Sequence, residues 1–68
     1  MEISLRNHLQ GKVVEIIQDK VVSEVEIETS AGIVTAVITT RSVQHLNLKV
    51  GDEVHAVVKA TEVGVEKS

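Results

Sequence analysis

Val21-Val22-Ser23-Glu24-Val25-Glu26-Ile27-Glu28-Thr29 alternates with a period of two: Val21, Ser23, Val25 and Ile27 fall on one side, Val22, Glu24, Glu26 and Glu28 on the other. Successive side chains of an extended strand point to opposite faces, so this stretch reads as a strand with one covered face and one wet face. Ser30-Ala31-Gly32 then reads as a turn, and Ile33 to Thr39, rich in β-branched residues, as the returning strand of a hairpin.

Upstream, Gln18-Asp19-Lys20 is a polar break, and Leu9 to Ile17 carries Val13, Val14, Ile16 and Ile17. That run is too apolar for an exposed edge and reads as a long first strand, with Gly11 marking a bend or bulge. Downstream, Val43 and Leu46 stand one helical turn apart between Thr40 and Lys49, with Thr39 or Ser42 available as N-cap, so a short helix fits there and Leu48 can close it onto the core. Val50-Gly51-Asp52 is a turn, Glu53 to Lys59 alternates again with Val54, Ala56 and Val58 on one face, and a last short strand is expected around Val63 to Val65. Five strands with one short helix between the third and fourth give an all-β fold of the OB type, a small, partly open barrel.

The chain has 68 residues, enough for a single domain spanning 1–68. A core this small is usually reinforced by disulfides, a structural metal or oligomerisation. Cysteine is absent, and His8, His45 and His55 are scattered without metal-ligand spacing, so no bare metal cation is expected. Hydrophobic residues make up 43% with no aromatic among them, which leaves much aliphatic surface to cover and points to a homo-oligomer. The N-terminal stretch has no apolar h-region and no run long enough to span a bilayer, so a cytoplasmic protein with no membrane partner is expected. The formal charge of −3 argues against a general polyanion binder, and single-strand binders of the OB type stack bases on aromatic side chains that this chain lacks.

No nucleophile, base and orienting group assemble into a catalytic set, so no enzyme activity is expected. Glu24, Glu26 and Glu28 share one strand face and read as solvated surface, and the three histidines read as structural or surface residues. What stands out is a set of hydrogen-bond donors: Ser4 and Arg6 near the start, Thr39 and Ser42 at the helix entry, and Lys59 before Ala60-Thr61. A fully deprotonated dianion only accepts hydrogen bonds, so its site wants hydroxyls, amides and one or two cations. Arg6 and Lys59 together balance a charge of −2, and backbone amides at the helix start, beside Thr39 and Ser42, would add donors.

Ile3-Ser4-Leu5-Arg6-Asn7-His8-Leu9-Gln10-Gly11 resembles the opening I-S-x-R-N-x-L-x-G of the molbindins, small molybdate-binding proteins built from one Mop domain. The resemblance continues through Val25, Ala36-Val37-Ile38-Thr39, Ser42-Val43, Leu46, Leu48, Gly51, Val54, Ala56 and Lys59-Ala60-Thr61, nearly the whole chain. It implies an OB-like Mop domain that binds molybdate or tungstate between subunits of a homohexamer, a trimer of dimers, for molybdenum storage or homeostasis. It also implies molybdate ligands at Ser4, Arg6, Thr39, Ser42, Lys59 and Ala60, with Asn7 fixing the loop. A second kind of family site would fall at Val21, Val22 and Ser23. Three positions depart from the family pattern: Lys20 stands where glycine is frequent and can change that turn or add a cation, Asn47 replaces a frequent glycine after the helix, and Glu62 replaces aspartate. The rival readings are an OB-type nucleic-acid binder, motivated by fold alone, and an oligomerising interaction module without an anion.

Overall fold

The computed structural model describes residues 6–68, so the expected ligand Ser4 lies outside the described residues. Four strands, β1 (Arg6–Gln18), β2 (Val22–Thr29), β3 (Gly32–Thr39) and β4 (Glu53–Lys59), pair antiparallel in the order β3-β2-β1-β4. One helix, α1 (Thr40–His45), links β3 to β4, and a 3-10 turn, Ala60–Glu62, follows β4. This is the expected OB-like order of elements, with the helix in its expected place.

The alternation in β2 decides the core. Ser23, Val25 and Ile27 are buried, and the register sets Val25 and Ile27 against Ile16 and Val13 on one side and against Ala36 and Val34 on the other. Val43 of α1 and Ala56 of β4 complete the buried cluster, with Ile38, Leu48 and Val54 packed around it. Val21 does not continue the pattern: it precedes β2 and is exposed. The hairpin turn is Ser30-Ala31 alone, because Gly32, at φ 115°, already pairs with Thr29.

β1 is longer than its apolar run, extending to Arg6 because β4 pairs with it from Lys12 back to Arg6. Gly11 is not at the bulge. It stays in register with Thr29 on one side and Val54 on the other, and the register shift falls between Val13 and Glu15. Glycine is required at 11 for a different reason: a β-carbon there would overlap the Glu28 carbonyl oxygen and come within 2.7 Å of Ile27 Cγ2. At the bulge, the Val13 N–H donates to the Asp52 carbonyl (2.9 Å) and the Val13 carbonyl accepts from Gly51 N–H (2.7 Å), which fixes where β4 begins.

Thr39, not Ser42, caps α1: its Oγ1 accepts the Ser42 N–H at 3.0 Å. Val43 points into the core while Leu46 is left exposed, and Asn47 ends the helix at φ 51°, the left-handed conformation open to asparagine.

The expected fifth strand does not form among the described residues. After the 3-10 turn the backbone is extended at Val63 but pairs with no strand among the described residues, and Val65 is 99% exposed. A β-branched segment forms a strand only where another backbone offers its N–H and C=O groups, and the turn at Ala60–Glu62 carries the chain off the end of β4. Among the described residues the sheet is therefore open, with β3 and β4 as its edges. No described helix is long and apolar enough to cross a membrane.

Candidate functional site

Arg6 and Lys59 are direct cross-strand partners in the β1–β4 ladder. Both are exposed and lie on the sheet face opposite Val13 and Ala56, so two cations stand side by side at the open end of the sheet. Asn7, between them and the core, donates from Nδ2 to the Val58 carbonyl at 3.3 Å and ties β1 to β4; it steadies a strand, where a loop was expected. Ala60 follows Lys59 and opens the 3-10 turn.

Thr39 and Ser42 form a second group. The Thr39 hydroxyl donates to Ser42 Oγ at 2.8 Å and accepts the Ser42 N–H, so its proton is committed and that of Ser42 is left for a ligand. Thr39 thus aims Ser42. This group sits at the other end of the sheet: Thr39 follows Ile38, which faces Ser23, which faces Gln18 at the far end of β1. The 13 residues of β1 separate the two groups, roughly 40 Å of strand path at about 3.3 Å per residue. No single oxyanion touches both within one chain.

Of the residues expected at a second kind of site, Val21 and Val22 are exposed and Ser23 is 2% exposed. Ser23 Oγ lies 2.7 Å from Thr40 Oγ1, and Thr40 gives its only hydroxyl proton to the Asp19 carbonyl, so Ser23 must donate to Thr40. The Ser23 hydroxyl therefore has no proton left for an anion, and the Val21 carbonyl is taken by Thr40 N–H at 2.9 Å. Beside these residues lies an open depression of about 280 Å³ lined by Lys20, Val21, Thr39 and Arg41. Arg41 went unnoticed in the sequence, although a cation placed between two named hydroxyl positions was the signal available.

The remaining charged cluster is acidic. Glu24 and Glu26 lie on the outer face of β2 near Glu15 of β1, and both Glu26 carboxylate oxygens accept from the Thr35 hydroxyl at 3.1 Å. A hydrogen bond with Glu26, partial loss of water, and repulsion from Glu26 and Glu15 push the Glu24 carboxyl above its ordinary value of 4.5. A raised carboxyl binds its proton more tightly in the folded chain, so its contribution to stability is full below 4.5 and is lost as pH rises through the folded value. Glu24→Gln is accordingly expected to melt higher than the parent at pH 7, with the two converging below the ordinary carboxylate value; melting curves across this range check it. Histidines His8 and His55 meet edge to face on the outer surface of β1 and β4, ring centroids 6.3 Å apart, and His45 closes α1. Among the described residues no group of three or more His, Cys, Asp or Glu side chains is placed to hold a metal ion.

Residues 3–65 match the family model of the TOBE domain. The chain is 44% identical over 69 residues to the probable molybdenum-pterin-binding protein of Haemophilus influenzae, covering 97% of this chain and all of that one. It is 45% identical over 64 residues to molybdenum-pterin-binding protein 2 of Clostridium pasteurianum, covering 93% and 94%. Among solved structures, a molybdate-binding protein from Sporomusa ovata superimposes with a TM-score of 0.90 at 42% identity, covering 98% of this chain and all of the other. MopII from Clostridium pasteurianum superimposes with a TM-score of 0.87 at the same identity, covering 97% of this chain and all of its own. The molbindin-like opening motif and the OB-like order of elements thus have the same source: the chain belongs to the TOBE-domain family, among its small Mop proteins.

Proposed function

We propose that the chain binds molybdate, or tungstate, at interfaces between copies of itself, as a store or buffer of the oxyanion and not as an enzyme. One observation carries this reading: Arg6 and Lys59 stand directly opposite each other, at the end of the sheet away from the Thr39–Ser42 group. Two cations match a dianion in charge, and the free proton of the Ser42 hydroxyl matches its lack of protons. Since one chain holds the two groups apart, a site using both must draw Arg6, Lys59 and Ala60 from one copy and Thr39 and Ser42 from another. Ser4 and Asn7 of the opening motif would supply and steady the first group.

Further support for assembly comes from the surface. Val21, Val37, Leu46, Val50, Val63 and Val65 are each more than half exposed, an aliphatic surface that a second copy would cover. A hexamer built as a trimer of dimers, in the cytoplasm, with 1–68 as a single domain, is the assembly we propose. Relatives named for molybdenum-pterin binding, and the Sporomusa protein named for molybdate binding, support the choice of ligand.

Calorimetric titration of the purified protein tests this. Molybdate and tungstate are expected to give saturable heat and a higher melting temperature, as any ligand of the native state must. Phosphate keeps a proton near neutral pH that a donor-only site leaves unpaired. That mismatch is worth about 1–3 kcal/mol, or roughly ten- to a hundredfold in affinity. No saturation with either metal oxyanion sinks the proposal, and equal affinity for phosphate sinks the donor-only description of the site.

A further inference from the structure

The histidines look scattered in the sequence, yet the β1–β4 register brings two of them together. His8 pairs with Val57 and His55 with Gln10, so the two imidazoles are diagonal neighbours across the ladder. Both are exposed and lie on the outward face, opposite Val13 and Ala56. Diagonal neighbours of an antiparallel pair stand about 7–8 Å apart at the backbone, within reach of ring side chains. Here the rings do meet, with centroids 6.3 Å apart and planes at 70°.

That separation suits a shared metal ion. A metal–nitrogen bond of about 2.0–2.1 Å places two imidazole centres roughly 4.5 Å apart when the ligands are at right angles and about 6.4 Å apart when they are opposed. The observed 6.3 Å lies at the open end of this range, so a small turn of either side chain aims both rings at one cation. The strands beneath are held in place: β1 is paired on both sides, and Asn7, next to His8, donates to the Val58 carbonyl of β4 at 3.3 Å. Binding therefore orders two side chains and no backbone.

The pair occupies the two central rungs of this face, completed by apolar Val57 and uncharged Gln10, with Arg6 and Lys59 on the rung before and Lys12 and Glu53 on the rung after. Among the described residues no third His, Cys, Asp or Glu is placed to join the two imidazoles, so water must fill the other positions. Two neutral nitrogens with water suit the late first-row divalent ions, and the general order of affinities puts copper(II) above nickel(II) and zinc(II).

We propose that His8 and His55 form a two-histidine surface site for a late first-row transition metal ion, with copper(II) bound most tightly. The site uses none of the residues assigned to the oxyanion and does not rest on that reading.

Titration of the full chain with copper(II) in oxyanion-free buffer, followed by calorimetry and electron paramagnetic resonance, tests this. The parent is expected to take up one copper per chain with a spectrum showing two imidazole nitrogens. His8→Gln and His55→Gln are each expected to lose that two-nitrogen spectrum and to bind copper more weakly, whereas His45→Gln, altered at the end of α1, is expected to match the parent. A parent that takes up no copper overturns the proposal. So does an unchanged spectrum and affinity in either the His8 or the His55 variant, and so does an equal loss in the His45 variant, since the histidines would then bind independently. Because molybdate and tungstate are absent throughout, failure here leaves the oxyanion reading standing, and failure of that reading leaves this site standing.

Discussion

Arg6→Ala is expected to weaken molybdate binding by about ten- to a hundredfold in calorimetric titration, more than any change to a surface lysine such as Lys67→Ala. A hydrogen bond to a charged partner contributes about 1.5–3 kcal/mol, and 1.4 kcal/mol is a factor of ten. Arg6 supplies one of the two cations at its end of the sheet, so its removal leaves Lys59 alone to face the anion. Arg6→Lys should fall between, keeping the charge and losing the planar fork of donors. Wild-type affinity in the alanine variant would remove Arg6 from the site and with it the cross-strand pair that carries the proposal.

The largest effect on stability is expected from Gly11→Ala. The added carbon has no space, and what it meets is mostly fixed: the Glu28 carbonyl oxygen is backbone, and Ile27 is a core residue. Either β1 and β2 part locally, breaking the ladder beside Val13↔Ile27, or β1 shifts and disturbs its pairing with Val54. Overpacking of this kind costs about 1–3 kcal/mol and occasionally more. A chain of this length has only about 3–10 kcal/mol of total stability at 0.05–0.15 kcal/mol per residue. With each kcal/mol worth about 4–8 °C in a small domain, a drop of roughly 10–20 °C in melting temperature is expected by circular dichroism. An unchanged melting temperature would mean that the two strands separate at Gly11 without cost, contrary to the close approach described above.

The strands were legible wherever one face is wet. The valine and glutamate alternation of β2 announces Ser23, Val25 and Ile27 as inward residues, and the cap of α1 was narrowed to Thr39 or Ser42, of which Thr39 serves. Legibility fails where periodicity is silent. Val13-Val14 and Ile16-Ile17 form a run apolar on both faces, which hides the bulge between Val13 and Glu15 and made Gly11 the more obvious suspect. Arg6-Asn7-His8 has no strand character of its own and is extended because β4 pairs with it. Val63 to Val65 has strand character and no partner among the described residues, the reverse case.

The candidate site divides the same way. Residue types foretold an anion, because donors and cations can be counted in a sequence. That Arg6 faces Lys59 depends on register, which no local pattern contains. Ser23 entered the expected second site through the family resemblance alone, and nothing in the sequence reveals that Thr40 takes its proton. Arg41 was passed over because a cation on a short helix ordinarily faces water.

The extra residue at Val14 splits β1 into two segments of opposite phase. Before it, even-numbered residues, among them Arg6 and Lys12, share the outward side with Lys59; after it, odd-numbered Glu15 and Ile17 do, and Ile16 can join Val13 inside. An unbroken strand that kept all of these residues would put Arg6 and Ile16 on the same face, so the bulge is what lets one point outward and the other inward. The ligand end and the core end of a single strand are in this way set independently, and substitutions that tune one need not be matched at the other.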